Sequence, residues 1–93
     1  MKVLFTARGW AHYLHWAEAD PPVLARLNAL IEAARRDPFK GIGKPEALKH
    51  ELKGFWSRRI DQEHRFVYRV TGAGADQMIV VVQCRYHNWA KKP

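Results

Sequence analysis

The sequence predicts an α+β fold in which two N-terminal helices pack on one face of a mainly antiparallel four-stranded sheet, in the order β-α-α-β-β-β. Three observations carry that prediction. Apolar residues recur at helical spacing through two segments in the first half, each bounded by capping residues or proline. Three runs rich in β-branched and aromatic residues follow in the second half, separated by polar or glycine-bearing turns. Finally, 93 residues that are 47% apolar suffice for one modest core, so residues 1–93 are expected to form a single domain.

Val3 to Phe5 is a short β-prone segment, and Thr6 is a candidate N-cap for a helix over Arg8 to Glu18. Within that helix Trp10, Tyr13, Leu14 and Ala17 fall on one stripe, the face expected to meet the core. Asp20-Pro21-Pro22 ends this helix and starts the next, because aspartate suits the cap and a first-turn proline forfeits no hydrogen bond. Leu24, Leu27, Leu30, Ile31 and Ala34 continue at the same period. Arg35 and Arg36 complement the negative end of the helix dipole, and Asp37-Pro38 stops the helix.

Pro38 to Pro45 is too rich in glycine and proline for regular structure and reads as a shaped loop. Glu46 to Lys49 fits a single helical turn. The strands are then Gly54 to Ile60, His64 to Val70 and Met78 to Tyr86, and their short links favour successive antiparallel pairing. The helices should cover one sheet face and leave the other to solvent or ligand. Alternation turns Phe66, Tyr68 and Val70 one way and Arg65, Val67 and Arg69 the other, toward the open face.

Charge narrows the function. Sixteen Lys and Arg against nine Asp and Glu give +7, and the isoelectric point is near 10.0, the signature of a polyanion ligand. Residues 40–93 hold +6 of that excess, so the partner-facing surface belongs to the second half. With Asp61 to Glu63 as a hairpin loop, Arg59 and Arg65 stand opposite each other, a like-charge pair unfavourable by up to about 1 kcal/mol. An anion between them converts that penalty into a binding site. Arg58, Arg69 and Arg85 on neighbouring strands extend the candidate phosphate surface, the alternative being a solvated sheet face.

Other classes are set aside. No apolar run approaches the roughly 20 residues that cross a bilayer, and the first residues are too short an apolar stretch for a signal peptide. A cytoplasmic protein without membrane partners is expected. Cys84 is a lone cysteine without an evident His–Asp relay, expected as a buried strand residue and not a nucleophile. His12 and His15 have metal-ligand spacing but no third ligand, so no metal and no cofactor are expected. Of Trp10, Trp16, Trp56 and Trp89, most should be core, with one or two free to stack on bases or a protein partner.

Glu46, among Lys44, Lys49 and His50, is either a solvated first-turn carboxylate or a general base kept ionised by cations. His87, two residues beyond Arg85, shares its face and is either an inert surface histidine or an imidazolium able to donate a proton at neutral pH. A base, an acid and a set of arginines on one basic surface are what RNA cleavage by transesterification requires. The base deprotonates a 2′-OH, the acid protonates the departing 5′-oxygen, and guanidiniums stabilise the transition-state charge. A 2′-OH nucleophile restricts the activity to RNA.

Five motifs carry a resemblance to a known family: Arg35-Arg36-Asp37-Pro38-Phe39, Gly41-Ile42-Gly43-Lys44-Pro45-Glu46-Ala47-Leu48-Lys49-His50, Gly54-Phe55-Trp56-Ser57-Arg58-Arg59-Ile60, Glu63-His64-Arg65-Phe66-Val67-Tyr68 and Cys84-Arg85-Tyr86-His87. In this order, from Met1 to about His87, the sequence resembles the YoeB toxins of the RelE-like superfamily in bacterial type II toxin–antitoxin systems. The resemblance implies a microbial-ribonuclease-like fold and a toxin that cuts mRNA in the A site of the 70S ribosome. It makes Glu46 the general base, His87 the general acid and Arg65 the transition-state arginine. It sets Lys49 and Arg59 around the scissile phosphate, with Lys44, Arg58 and Asn88 as further candidate RNA contacts.

The resemblance also implies a YefM-type antitoxin, operator binding through that antitoxin's DNA-binding domain, and a toxin homodimer. One departure stands out: the family typically ends in His-Tyr, whereas Asn88 follows His87 here and Trp89 is the next aromatic ring. Two other readings compete with the ribonuclease, a basic RNA- or ribosome-binding module that blocks translation without cutting, and a degenerate toxin retained as an operon-repressing partner.

Overall fold

The computed structural model describes residues 1–87. Seven main elements follow in order: β1 (Lys2–Phe5), α1 (Ala7–Ala19), α2 (Pro21–Arg36), β2 (Glu46–Ala47), β3 (Phe55–Arg59), β4 (Arg65–Thr71) and β5 (Met78–Gln83). The helix boundaries follow from local chemistry. Thr6 Oγ1 accepts from the Gly9 N–H at 3.1 Å and so caps α1, and Asp20 Oδ1 accepts from the Val23 N–H at 3.3 Å and caps α2. Pro21 and Pro22 occupy the first turn of α2, and Arg35 and Arg36 its last.

The sheet has five strands in the order β1-β5-β4-β3-β2. The α+β class and the antiparallel β3-β4-β5 meander agree with the sequence reading. The fifth strand corrects it: Glu46–Ala47 forms β2, antiparallel to β3, where a helical turn was expected. The turn comes later, as a 3₁₀ turn at His50–Leu52. Pairing of Glu46 with Ser57 and of Ala47 with Trp56 holds this segment extended and displaces the turn. β1 pairs with β5 in parallel, the exception in an otherwise antiparallel sheet.

The main core lies between the helices and one sheet face. Trp16 of α1 and Leu27, Leu30, Ile31 and Ala34 of α2 pack there with Ile60, Phe66, Tyr68, Ile79, Val81 and Cys84. α1 presents a face that keeps only Tyr13 of the predicted stripe. Gly9, Tyr13 and Trp16 turn inward, while Trp10 and Leu14 are 47% and 44% exposed. The cause is backbone proximity: a Cβ on Gly9 would lie 2.4 Å from the Val81 carbonyl oxygen, so only glycine lets α1 approach β5 this closely. Trp10 instead stacks on Tyr13, with ring centroids 5.6 Å apart.

The opposite face is not bare. Val67, Val80 and Val82 are buried there with Leu48, Phe55 and Met78 packed against them, so the segment following β2 covers part of the sheet. β5 also carries a bulge: Val67 pairs with Gln83 while Tyr68 pairs with Val81, which bends the strand at its end. Regular pairing stops at Gln83, three residues short of the predicted strand end at Tyr86. Among the described residues no helix is long and apolar enough to cross a membrane.

Candidate active site

Strand register assembles the site. Glu46 of β2 pairs with Ser57 of β3, Ser57 pairs with Val67 of β4, and Arg59 pairs with Arg65. Because side chains on paired residues share a face, Glu46, Ser57, Val67, Arg59 and Arg65 all turn to the face opposite the helices. The opposition of the two arginines predicted from the hairpin arithmetic is the observed register.

These residues line a cleft of about 350 Å³, closed by Leu48 and Leu52 on one wall and joined by His87 from the segment after β5. One carboxylate, one imidazole and two guanidiniums thus converge on a single concavity, while Leu48, Leu52 and Val67 make part of its lining apolar. Residues 59 and 65 are kept in register by a compact turn. Asp61 Oδ1 accepts from the Glu63 and His64 N–H groups at 2.8 and 2.7 Å. Burial alone would raise the Asp61 pKa, but these two bonds and the nearby Arg65 charge hold it below the usual carboxylate value. Arg65 Nη1 donates to the Asp61 and His64 carbonyls at 2.9 and 3.1 Å, which anchors its guanidinium beside the cleft that it lines.

The remaining sequence candidates divide. Lys44 and Lys49 are exposed on the segment that carries Glu46 but do not line the cleft. Arg58 is a correction. It points to the core face and is fully buried, where it donates from Nε to Tyr68 Oη (2.9 Å), from Nη1 to the Ile42 carbonyl (3.0 Å) and from Nη2 to the Asp37 and Lys40 carbonyls (2.7 and 2.9 Å). Its neighbour Arg59 takes the open face, since adjacent strand residues alternate. Arg58 therefore braces the Gly- and Pro-rich loop and has no face toward RNA. Arg85 is also corrected. Its guanidinium lies over the Tyr86 ring, 4.8 Å from the centroid, and its charge acts on His12 of α1, so it does not share the His87 cleft. Asn88 and Trp89 lie outside the described residues.

Cys84 is fully buried, and burial pushes its thiol pKa up to about 12, in keeping with a structural residue. His12 ties α1 to the segment after β5: its Nδ1 accepts from the Cys84 N–H at 3.2 Å. Among the described residues no group of three or more potential metal ligands forms. Sequence reasoning missed Ser57, which the alternation around Arg59 would have placed beside Glu46. It also missed the role of His64 beside Tyr86, for which the sequence holds no signal.

A cleft pairing a carboxylate with an imidazole across two arginines suits acid–base work on a phosphodiester, and comparison places the chain among proteins of known type. The family model for the YoeB-like toxin of bacterial type II toxin–antitoxin systems matches residues 5–88. The chain belongs to that family. The "Toxin YoeB" of Streptomyces coelicolor is 55% identical over 87 residues, covering 94% of this chain and 99% of that toxin. A solved "YoeB/ParE toxin from Agrobacterium tumefaciens" superposes with a TM-score of 0.91 at 49% identity, covering 95% of this YoeB-like toxin and all of that chain. YoeB of Staphylococcus aureus, solved as a dimer and in a heterotetrameric YoeB-YefM toxin-antitoxin complex, superposes with a TM-score of 0.83 at 35% identity. Each of these covers 95% of this chain and 98% of the S. aureus chain.

Proposed function

We propose that this YoeB-like toxin is a ribosome-dependent mRNA endoribonuclease that inhibits translation by cutting message in the A site. The observation that carries the reading is the shared cleft of Glu46, Arg59, Arg65 and His87.

Glu46 takes the proton from a ribose 2′-OH, whose oxygen attacks the adjacent phosphorus. The bond from phosphorus to the 5′-oxygen breaks as His87 protonates that oxygen. The products are a 2′,3′-cyclic phosphate and a 5′-hydroxyl end, so atoms and protons balance. Arg65, and Arg59 across the ladder from it, stabilise the charge that develops on the phosphoryl oxygens. Their opposition, unfavourable in the free sheet, becomes favourable with the phosphate between them. Lys44 and Lys49 supply cationic contacts along the approach of the RNA backbone. The steps use side chains of this chain alone, without a cofactor.

The ribosome's part is to hold the message in an attack geometry that a shallow cleft cannot impose by itself. A YefM-type antitoxin is the inhibitor by analogy with the S. aureus complex, carrying the pair to operator DNA through its own DNA-binding domain. A toxin homodimer follows the same analogy.

The test is primer extension on programmed 70S ribosomes. The parent chain is expected to create new 5′ ends within the A-site codon, and folded Glu46→Ala and His87→Ala variants to lose about 10²- to 10⁴-fold in rate each. Parental rates in both variants refute the assignment. Growth arrest by the parent without any new 5′ ends would replace it with a basic ribosome-binding module that blocks translation without cutting.

A further inference from the structure

The residue that brings His87 to the cleft lies outside regular structure. β5 pairing ends at Gln83, and the segment Cys84 to His87 continues without a strand ladder. Hydrogen bonds to the backbone of Cys84 and Tyr86 fix its path. The Cys84 N–H donates to His12 Nδ1 at 3.2 Å, and the Cys84 carbonyl accepts from Trp16 Nε1 at 2.7 Å. Two residues on, the Tyr86 N–H donates to His64 Nδ1 at 2.7 Å, and the Tyr86 carbonyl accepts from the Arg65 N–H at 2.9 Å.

Tyr86 needs such a clamp. Its φ is +74°, a left-handed conformation that is unfavourable for a residue with a Cβ. It is 45% exposed, so burial does little to hold it. The side chain of His64 and the backbone of Arg65, two consecutive residues, grip it from both sides. His87 is the next residue, and a change at the Tyr86 dihedrals swings it directly.

The chemistry of His64 fits this use. Accepting at Nδ1 requires a neutral ring with its proton on Nε2, and Glu63 Oε1 lies 3.7 Å from Nε2, where it favours that tautomer. The ring is packed edge-on against Trp16, with centroids 4.8 Å apart, and its side chain is 14% exposed. The acceptor is thus fixed in place before substrate arrives. Arg65 adds a link, since its backbone holds Tyr86 while its side chain lines the cleft.

We propose that His64 is a positioning residue for His87: by accepting the Tyr86 N–H it locks the left-handed turn that aims the acid into the cleft. This inference rests on His87 being the acid, as proposed above. A displacement of about 1 Å at a reacting group can cost 10²-fold in rate, so the loss should appear in the chemical step and not in ribosome binding.

The experiment uses the full chain with His64→Phe, which keeps the ring packing but removes the acceptor, and His64→Asn, whose amide oxygen takes the place of Nδ1. Single-turnover cleavage on programmed ribosomes is expected to fall about 10- to 100-fold at saturation for the Phe variant, with an unchanged half-saturating concentration. The Asn variant should recover most of the rate. In the unmodified chain, ¹⁵N NMR should show scalar coupling between the Tyr86 amide nitrogen and His64 Nδ1 across the hydrogen bond.

Absence of that coupling, or a parental rate in a folded Phe variant, overturns the inference. If the Phe variant does not fold, His64→Gln serves in its place: its oxygen reaches the Nε2 position, so it should cleave more slowly than the Asn variant, and equal rates overturn the proposal. Parental cleavage by His87→Ala with the coupling intact would instead remove the acid assignment, which separates the two failures.

Discussion

Replacing Arg58 with methionine gives the sharpest separation between a brace and a phosphate ligand. The substitution keeps the length and removes the guanidinium that donates to the carbonyls of Asp37, Lys40 and Ile42 and to the Tyr68 hydroxyl. Tyr68 still donates to the Pro38 carbonyl, so the three loop carbonyls carry most of the cost. At about 1 kcal/mol for each acceptor left without its partner, the loss is about 3 kcal/mol. For a domain of this size 1 kcal/mol moves the melting temperature by about 4–8 °C, which puts the expected drop at about 12–24 °C. An exposed arginine whose business is RNA would leave stability within about 0.5 kcal/mol of the parent. Thermal unfolding followed by tryptophan fluorescence distinguishes the cases. A melting temperature within about 4 °C of the parent, together with lost cleavage on ribosomes, would refute the bracing role.

Two further predictions concern stability. Gly9→Ala should destabilise by about 1–3 kcal/mol in urea unfolding, because its Cβ would meet the Val81 carbonyl, and this outweighs the gain of about 1 kcal/mol that alanine brings to a helix interior; a stabilised variant would mean α1 sits farther from β5. His12 is held neutral down to about pH 4, against an ordinary 6.5, first by burial and then by the charges of Arg85, Arg8 and His15. Its contribution is complete above about 6.5 and is lost as pH falls toward 4, because the unfolded chain takes up the proton first. After allowance for solvent screening at this half-exposed ring the loss is about 1–2 kcal/mol. The parent should therefore lose more stability between pH 7 and pH 5 than His12→Asn, and equal slopes would contradict the assignment.

The legible parts of the fold were those set by neighbours in sequence. Thr6 and Asp20 mark their helix starts because a capping side chain bonds to a backbone N–H only a few residues away. Arg59 and Arg65 follow from a hairpin whose loop is fixed by Asp61. What escaped depends on long-range packing. The buried face of α1 turns on Gly9, which carries no apolar signal, yet decides how closely a strand more than 70 residues away can approach. Arg58 looks like any other basic strand residue until Tyr68 and the loop carbonyls close around it. β2 is two residues long and gains its identity from β3 rather than from its own composition. In the site, Glu46, Arg59, Arg65 and His87 line one cleft because strand alternation turns the first three to one face, whereas the bond from Tyr86 to His64 spans 22 residues and has no local signal.

The parallel pairing of β1 with β5 also bears on when the fold can form. β5 is inserted between β1 and β4, so the first strand to leave the ribosome has no partner until the last one has emerged. Thr6, which opens α1, donates its N–H to the carbonyl of Val81. A nascent chain stopped before Met78 lacks both the strand that joins β1 to the rest of the sheet and the peptide that bears His87. Such a high sequence separation between partners delays folding until synthesis has passed β5. The cleft that His87 lines is therefore completed only after β5 has been synthesised.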